Sequence, residues 1–410
     1  MRVVWIVIVW MLWGCEVQSA EKLTEELYQT EMQKQTDRVL RKETEKTVRD
    51  MVEKDSKDTA MLDEIESYLN LGEIEAALEE FSVTEQFSFL ESVKSLISGK
   101  VPLDFQELKA LVIEAFLGEV AQQKNRAVRI LVVVLVSAIF TSFVRVFENS
   151  QIADISFYMM YLLISTMLVE SFGAMNGIVS NACSDLAGFM KILMPSYLVT
   201  VVLSAGSVSA VGFYEIIILA MNLIQIFIIK IILPAINFYL VLLILNQMGK
   251  EDYFSKLAEL VELVIGWILK SILGIVLGLQ AVQCLVAPAV DSLKNSAMHR
   301  LVKMVPGIGS VIDTAAETVA GSAVVIKNAV GIAGMLVLVV ICLTPLVKLA
   351  VCILIFRLLC GMIQPFCEKR MVEGIESISR GTALLLRVQM TGLAVFLISL
   401  AMITAAVSGG

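Results

Sequence analysis

Long apolar runs with few charges constrain this chain more than any other feature. A helix needs about 20 apolar residues to cross the hydrocarbon core of a bilayer, which is about 30 Å thick. Several segments approach or reach that length. Ile130–Val144 is apolar and flanked by Arg129 and Arg145, and Leu263–Leu285 carries one charge, Lys270. The composition agrees: 57% of the 410 residues are apolar, 18% are charged, and the mean hydropathy is +0.80. Soluble globular proteins have roughly 25% charged and 45–50% apolar residues. An ordinary soluble enzyme is excluded. One histidine excludes a zinc site built on histidine pairs. Seven cysteines are too few for a disulfide-stapled scaffold of this length. A net charge of -8 argues against nucleic acid as a partner, because no basic surplus is available to neutralise phosphates.

The apolar runs are Ile130–Val144, Phe157–Phe172, Ile192–Val211, Ile216–Leu233, Ala235–Met248, Leu263–Leu285, Val330–Leu343, Leu349–Ile363 and Leu384–Val407. They predict an all-α, polytopic helical bundle of about seven to nine spans. Pro234 divides two runs, which read as a tight helical hairpin or one broken helix, since proline removes a hydrogen bond from a helix interior. Residues 287–328 are less apolar and carry Pro288, Pro306, Gly307, Gly309 and Gly321. Within them Ala315–Ala323 is dominated by small residues, which let helices approach closely in lipid. The segment reads as re-entrant, as an amphipathic helix on the bundle, or as a surface loop with one helix.

The N-terminal region is different in kind. Met1 and Arg2 precede an apolar stretch, Val3–Trp13, too short to span. Val17 and Ser19 follow at positions suited to a cleavage site. Residues 1–20 therefore read as a signal peptide. The alternatives are an uncleaved anchor and a lipoprotein whose acylated residue is Cys15. Residues 21–125 read as an acidic, helical, extracytoplasmic domain, and 126–410 as the multi-span membrane domain. From Glu21 to Lys100 there are 20 acidic and 11 basic residues. Leu62, Ile65 and Leu69 recur at helical spacing, as do Ile74, Ala77, Leu78 and Phe81. A helix from Pro102 and Asp104 carries Phe105, Leu108, Leu111, Val112, Ala115 and Phe116 on one face and runs to Arg129. Lys124, Arg126 and Arg129 would lie on the outer flank of the first span, against the positive-inside tendency. The signal peptide commits the chain first and decides the expected orientation.

No phosphate-binding loop, HExxH, nucleophile elbow or CxxC motif is present, so no catalytic residue and no cofactor is expected. His299 and Ser310 do not make a hydrolase, since His299 stands beside Arg300 as a polar loop residue. Six cysteines, from Cys183 to Cys367, lie in or beside apolar stretches and read as small hydrophobes. Ionisable residues inside apolar runs carry more information, because a mid-membrane charge needs a partner or water. They are Glu170, Lys230, Lys270, Lys348 and Arg357. Lys230 and Lys348 stand near proline interruptions. Lys270 and Arg357 lie deeper, as conduit candidates or in pairs with Glu170, Glu259 or Glu262. Asp313, Glu317 and Gly321 complete the packing or conduit candidates.

The stretch Val305-Pro306-Gly307-Ile308-Gly309, with Asp313, Thr314, Glu317 and Thr318, then Lys327–Gly331 and Gly334, resembles the stage III sporulation protein AE family. So do Pro345, Lys348, Arg357, Gln364-Pro365, and the upstream Asp104–Lys109. The likeness covers roughly residues 85–410. It implies a non-enzymatic membrane subunit of the sporulation complex made by the mother cell of endospore-forming bacteria. That complex is a secretion-like channel linking mother cell and forespore, needed for development after engulfment. The implied site is the mother-cell membrane around the forespore, with the N-terminal domain in the intermembrane space. The implied partners are an ATPase, ring-forming subunits, a forespore-side protein and the lipid bilayer. The competing readings are a secondary transporter or ion-conducting protein and an intramembrane hydrolase.

Overall fold

The computed structural model describes residues 74–76, 78, 88–97, 105–145, 150–205, 209–249, 251–302 and 309–406. The expected signal peptide, the segment Glu21–Lys57 and the Leu62–Leu69 repeat lie outside the described residues. Contacts divide the chain at Tyr68/Leu69, and everything described belongs to the second unit.

Every regular element among the described residues is helical. They are α1 (Phe89–Ile97), α2 (Phe105–Arg145), α3 (Ser150–Ala205), α4 (Ser209–Phe227), α5 (Leu233–Met248), α6 (Ser255–Val302), α7 (Gly309–Ile363) and α8 (Lys369–Ala406). A π-helical turn, Ile228–Ile232, joins α4 to α5. Ile74 and Leu78, expected on one helical face, are both helical and buried. Ser88 starts α1 as the apolar pattern begins: its Oγ accepts the Glu91 N–H at 3.2 Å, half of a capping box.

Among the described residues five helical stretches are long and apolar enough to cross a membrane: Asp154–Leu198, Ile216–Met248, Ser255–Val282, Val324–Ile363 and Lys369–Thr404. Runs read separately in the sequence are joined here. Phe157–Phe172 and Ile192–Val211 fall largely on α3, whose interior contains Pro195. Val330–Leu343 and Leu349–Ile363 both lie on α7, with Pro345 between them. At Pro234 the chain continues as one helix rather than turning back. The proline ring crowds the carbonyl four residues earlier, at Lys230, and the backbone widens into the π turn around it. The expected helix from Phe105 and the run Ile130–Val144 are likewise one helix, α2. α3 has 56 residues and α7 has 55. At 1.5 Å per residue each is above 80 Å, far longer than the hydrocarbon core of about 30 Å.

Cross-helix contacts fix the directions. Tyr161 donates to the Ile244 carbonyl at 2.8 Å, and a Cβ on Gly374 would meet the same tyrosine. Higher up, Gly381 faces Phe172 and Leu240, and Gln225 donates to the Cys183 carbonyl at 2.7 Å. Higher still, Gly334 faces Leu193 and Leu400, and Tyr197 bonds Thr404 at 2.7 Å. So α3 and α8 run parallel, while α4–α5 and α7 run against them. α2 runs against α3, with Gln123 beside Met175 and Ile130 beside Met167. α6 returns from α5 through a turn clasped by Asn246, whose side chain meets Asp252 and accepts the Phe254 N–H at 2.8 Å. Helix α8 packs against α3, α4, α5, α6 and α7. Its inner face supplies much of the core, with Ile375, Ile378, Leu385, Val388 and Leu400 all fully buried.

Candidate functional site

Polar groups enter this bundle at separate levels along α8. Near its C-terminal end Lys327 of α7 is completely buried, and its Nζ donates to the Thr404 carbonyl at 3.0 Å. That carbonyl lies in the last described turn of α8, and the negative end of a helix favours a cation. Tyr197 and Gly331 close the cluster: a Cβ at 331 would fall 2.5 Å from Thr404 Oγ1.

One level lower, the buried Gln389 amide lies between two thiols. It accepts from Cys183 at 3.9 Å and donates to the Cys342 sulfur at 3.3 Å. Thiols are weak partners, so this level is held mainly by packing.

At the next level Tyr239 of α5 donates to Glu262 of α6 at 2.8 Å, and Arg387 of α8 lies 3.7 Å from the other carboxylate oxygen. Arg380 pairs with Glu376 one turn earlier on α8, at 3.3 Å. On the other flank of α8, Arg357 Nε donates to Ser379 Oγ at 3.3 Å. Where the middle of α2 packs on α3, Arg126, Arg129, Glu170 and Ser171 line a pocket of about 90 Å³. Just above it the buried Gln123 donates to Glu119 at 2.7 Å.

The structure separates the residues singled out in the sequence. Arg357 meets Ser379, and Glu170 shares the α2–α3 pocket with two arginines. Lys270 is exposed on α6. Glu259 pairs with Lys256 at 2.9 Å, and Glu262 takes Tyr239 and Arg387, so neither carboxylate serves Lys270 or Arg357. Asp313, Glu317 and Gly321 lie on α7, with side chains outside the described residues. Two charged residues were missed as candidates. Arg387 stands between Leu384-Leu385-Leu386 and Val388, the same apolar-flank signal that selected Arg357. Lys327 follows Val324-Val325-Ile326 and was absorbed into the small-residue segment before it.

The arrangement offers ion pairs, hydroxyls and amides spaced along helices. Among the described residues no group of three His, Cys, Asp or Glu side chains is placed to hold a metal ion. Burial pushes the thiol of Cys367, in the α7–α8 turn, above its ordinary range and lowers its nucleophilicity at neutral pH.

A family model described as stage III sporulation protein AE matches residues 87–407, which includes all of α1–α8. The protein named stage III sporulation protein AE from Bacillus subtilis (strain 168) is 26% identical over 291 residues. That covers 70% of this chain and 73% of the relative. No solved structure matches.

Proposed function

This chain belongs to the stage III sporulation protein AE family, and from that premise we propose that it is a non-enzymatic, multi-pass membrane subunit of a mother-cell sporulation complex. In this reading the complex is a secretion-like channel between mother cell and forespore, needed for forespore development after engulfment. The observation that carries the proposal is that the family match spans the whole helical bundle, including five helices fit to cross a membrane. The polar levels around α8 suit a wet or protein-covered position in an assembly better than a lone lipid-facing bundle. The partners would be an ATPase, ring-forming subunits and a forespore-side protein, with residues 21–125 extracytoplasmic in the intermembrane space.

Deleting the gene in an endospore-forming host tests this. Development should stall after engulfment, late forespore reporters should stay silent, and the intact gene should restore both. An affinity-tagged chain should also retain the ATPase and ring subunits from solubilised membranes. Normal spores from the deletion strain would overturn the reading, and retention of transport substrates without complex subunits would favour a transporter.

A further inference from the structure

α8 has one face that its five helical neighbours leave open, and that face is charged. Lys369, Glu373, Glu376, Arg380 and Arg387 stand 4, 7, 11 and 18 residues along from the first of them. With Ala383 and Thr391 they fall within about 80° of arc at 3.6 residues per turn. Leu384, Leu385 and Val388, on the other sides of the same turns, are buried. The open side chains are not: Arg380 is 54% exposed and Arg387 is 47% exposed. Arg387 lies among the apolar residues of the spanning stretch Lys369–Thr404, and Arg380 lies about two turns nearer its charged N-terminal end.

The walls of this groove are polar too. On the α6 side Glu262, itself 41% exposed, reaches Arg387 and holds the Tyr239 hydroxyl. On the α7 side the exposed Arg357 bonds Ser379. α6 packs on α4, α5 and α8, and α7 on α1, α2, α3 and α8, so the two walls stand apart over the α8 floor. Other exposed side chains of the two wall helices are apolar: Ile275 and Trp267 on α6, and Leu354, Leu358 and Met362 on α7. Lipid would solvate those side chains at no cost. A charge at the centre of a bilayer costs about 2.5–3.5 kcal/mol on insertion scales, and several half-exposed charges share this groove.

We propose that the α6–α7 groove over the charged face of α8 is filled with water within the membrane and lines a path for small hydrophilic solutes. The proposal rests on the membrane-subunit reading above and assigns the wet face of that subunit. Glu262, Arg357, Arg380 and Arg387 keep the groove hydrated. Ala383 and Thr391 are small enough there to leave it open.

Thiol accessibility in sporulating cells tests this. Ala383→Cys and Thr391→Cys are compared with Ile275→Cys and Leu358→Cys, each in the full chain. A membrane-impermeant, charged methanethiosulfonate reagent is used, and the background of the unsubstituted chain is subtracted. A hydrated thiol ionises and an apolar surrounding suppresses the thiolate, so the groove positions should react at least about tenfold faster than the outward ones. Immunoblots establish that each variant reaches the membrane. Equal, slow reaction at all four positions overturns the proposal, because lipid or another helix then covers the face. The two readings fail separately. Slow groove thiols in a strain whose spores still depend on the gene remove the groove alone. Fast groove thiols in a strain that sporulates without the gene remove the sporulation role alone.

Discussion

Lys327 and Lys270 show how differently one residue type behaves in one bundle. Lys327 is fully buried, and its ammonium group donates to the Thr404 carbonyl near the end of α8. Lys270 is exposed on α6, where a lysine can keep its charged head out of apolar surroundings. Lys327→Met should therefore lower stability by about 1.5–3 kcal/mol, the worth of a buried hydrogen bond from a charged group. Lys270→Met should leave it unchanged. Thermal unfolding of the detergent-solubilised chain compares the two, and equal effects would contradict the assignment. The sequence ranked them the other way. Depth within an apolar run is visible in a sequence, and Lys270 has the deeper run. Burial depends on which helix face meets a neighbour, and only the contact between α7 and the end of α8 determines that for Lys327. Arg357 is selected by the same rule as Lys270, and its Nε bonds Ser379.

Helix type was legible at the scale of elements, and helix ends were not. Apolar runs mark the long helices among the described residues, but Pro345 separates two runs that are one helix, and Pro234 leaves a hairpin or one broken helix open. Pro234 sits just beyond a π turn, and Pro195 and Pro345 lie inside continuous helices. Neighbouring helices hold such segments together, which one segment read alone does not reveal. Close approach through small residues was expected at Ala315–Ala323, whose side chains lie outside the described residues. It is present further along α7, at Gly331 and Gly334, and again on α8 at Gly374 and Gly381. At Gly374 a Cβ would lie 2.7 Å from the Tyr161 hydroxyl, which is tied to the Ile244 carbonyl and so cannot retreat without losing that bond. Gly374→Ala should destabilise the bundle by about 1–3 kcal/mol through overpacking. Gly361→Ala, where nothing lies within 4 Å, should be neutral or stabilising, since alanine restricts the unfolded chain more than glycine does. Midpoints of thermal unfolding for the pair decide it, and a neutral Gly374→Ala would mean that α3 and α8 are not in this register.

Across the whole helical unit the chain alternates direction, and that fixes a relation between its ends. α2 runs against α3, the α4–α5 run against α3, α6 against α5, and α7 against α8. The five stretches apolar enough to span, with α2 and its shorter apolar run Ile130–Val144 as a sixth traverse, bring the start of α2 and the end of α8 to the same end of the bundle, where Lys327, Tyr197 and Thr404 meet. The turns at 249–254 and 364–368 lie at the other end, beside Tyr161 and Gly374. Hydropathy alone does not yield this parity, because it counts apolar runs and cannot tell two short helices from one long one. The signal-peptide reading and the positive-inside tendency disagreed about orientation, but parity is independent of which is right. A reporter fused after Lys100 and one fused after Gly410 should therefore report the same side of the membrane. A cysteine at Glu251 should be labelled from the opposite side. If the signal peptide acts as read, both fusions carry active alkaline phosphatase and Glu251→Cys reacts only after the cytoplasmic face is opened. If it does not, all three results invert together. Fusions at 100 and 410 that report opposite sides would mean that one of the six traverses fails to cross, and the contact-derived directions would then not describe the chain in its membrane.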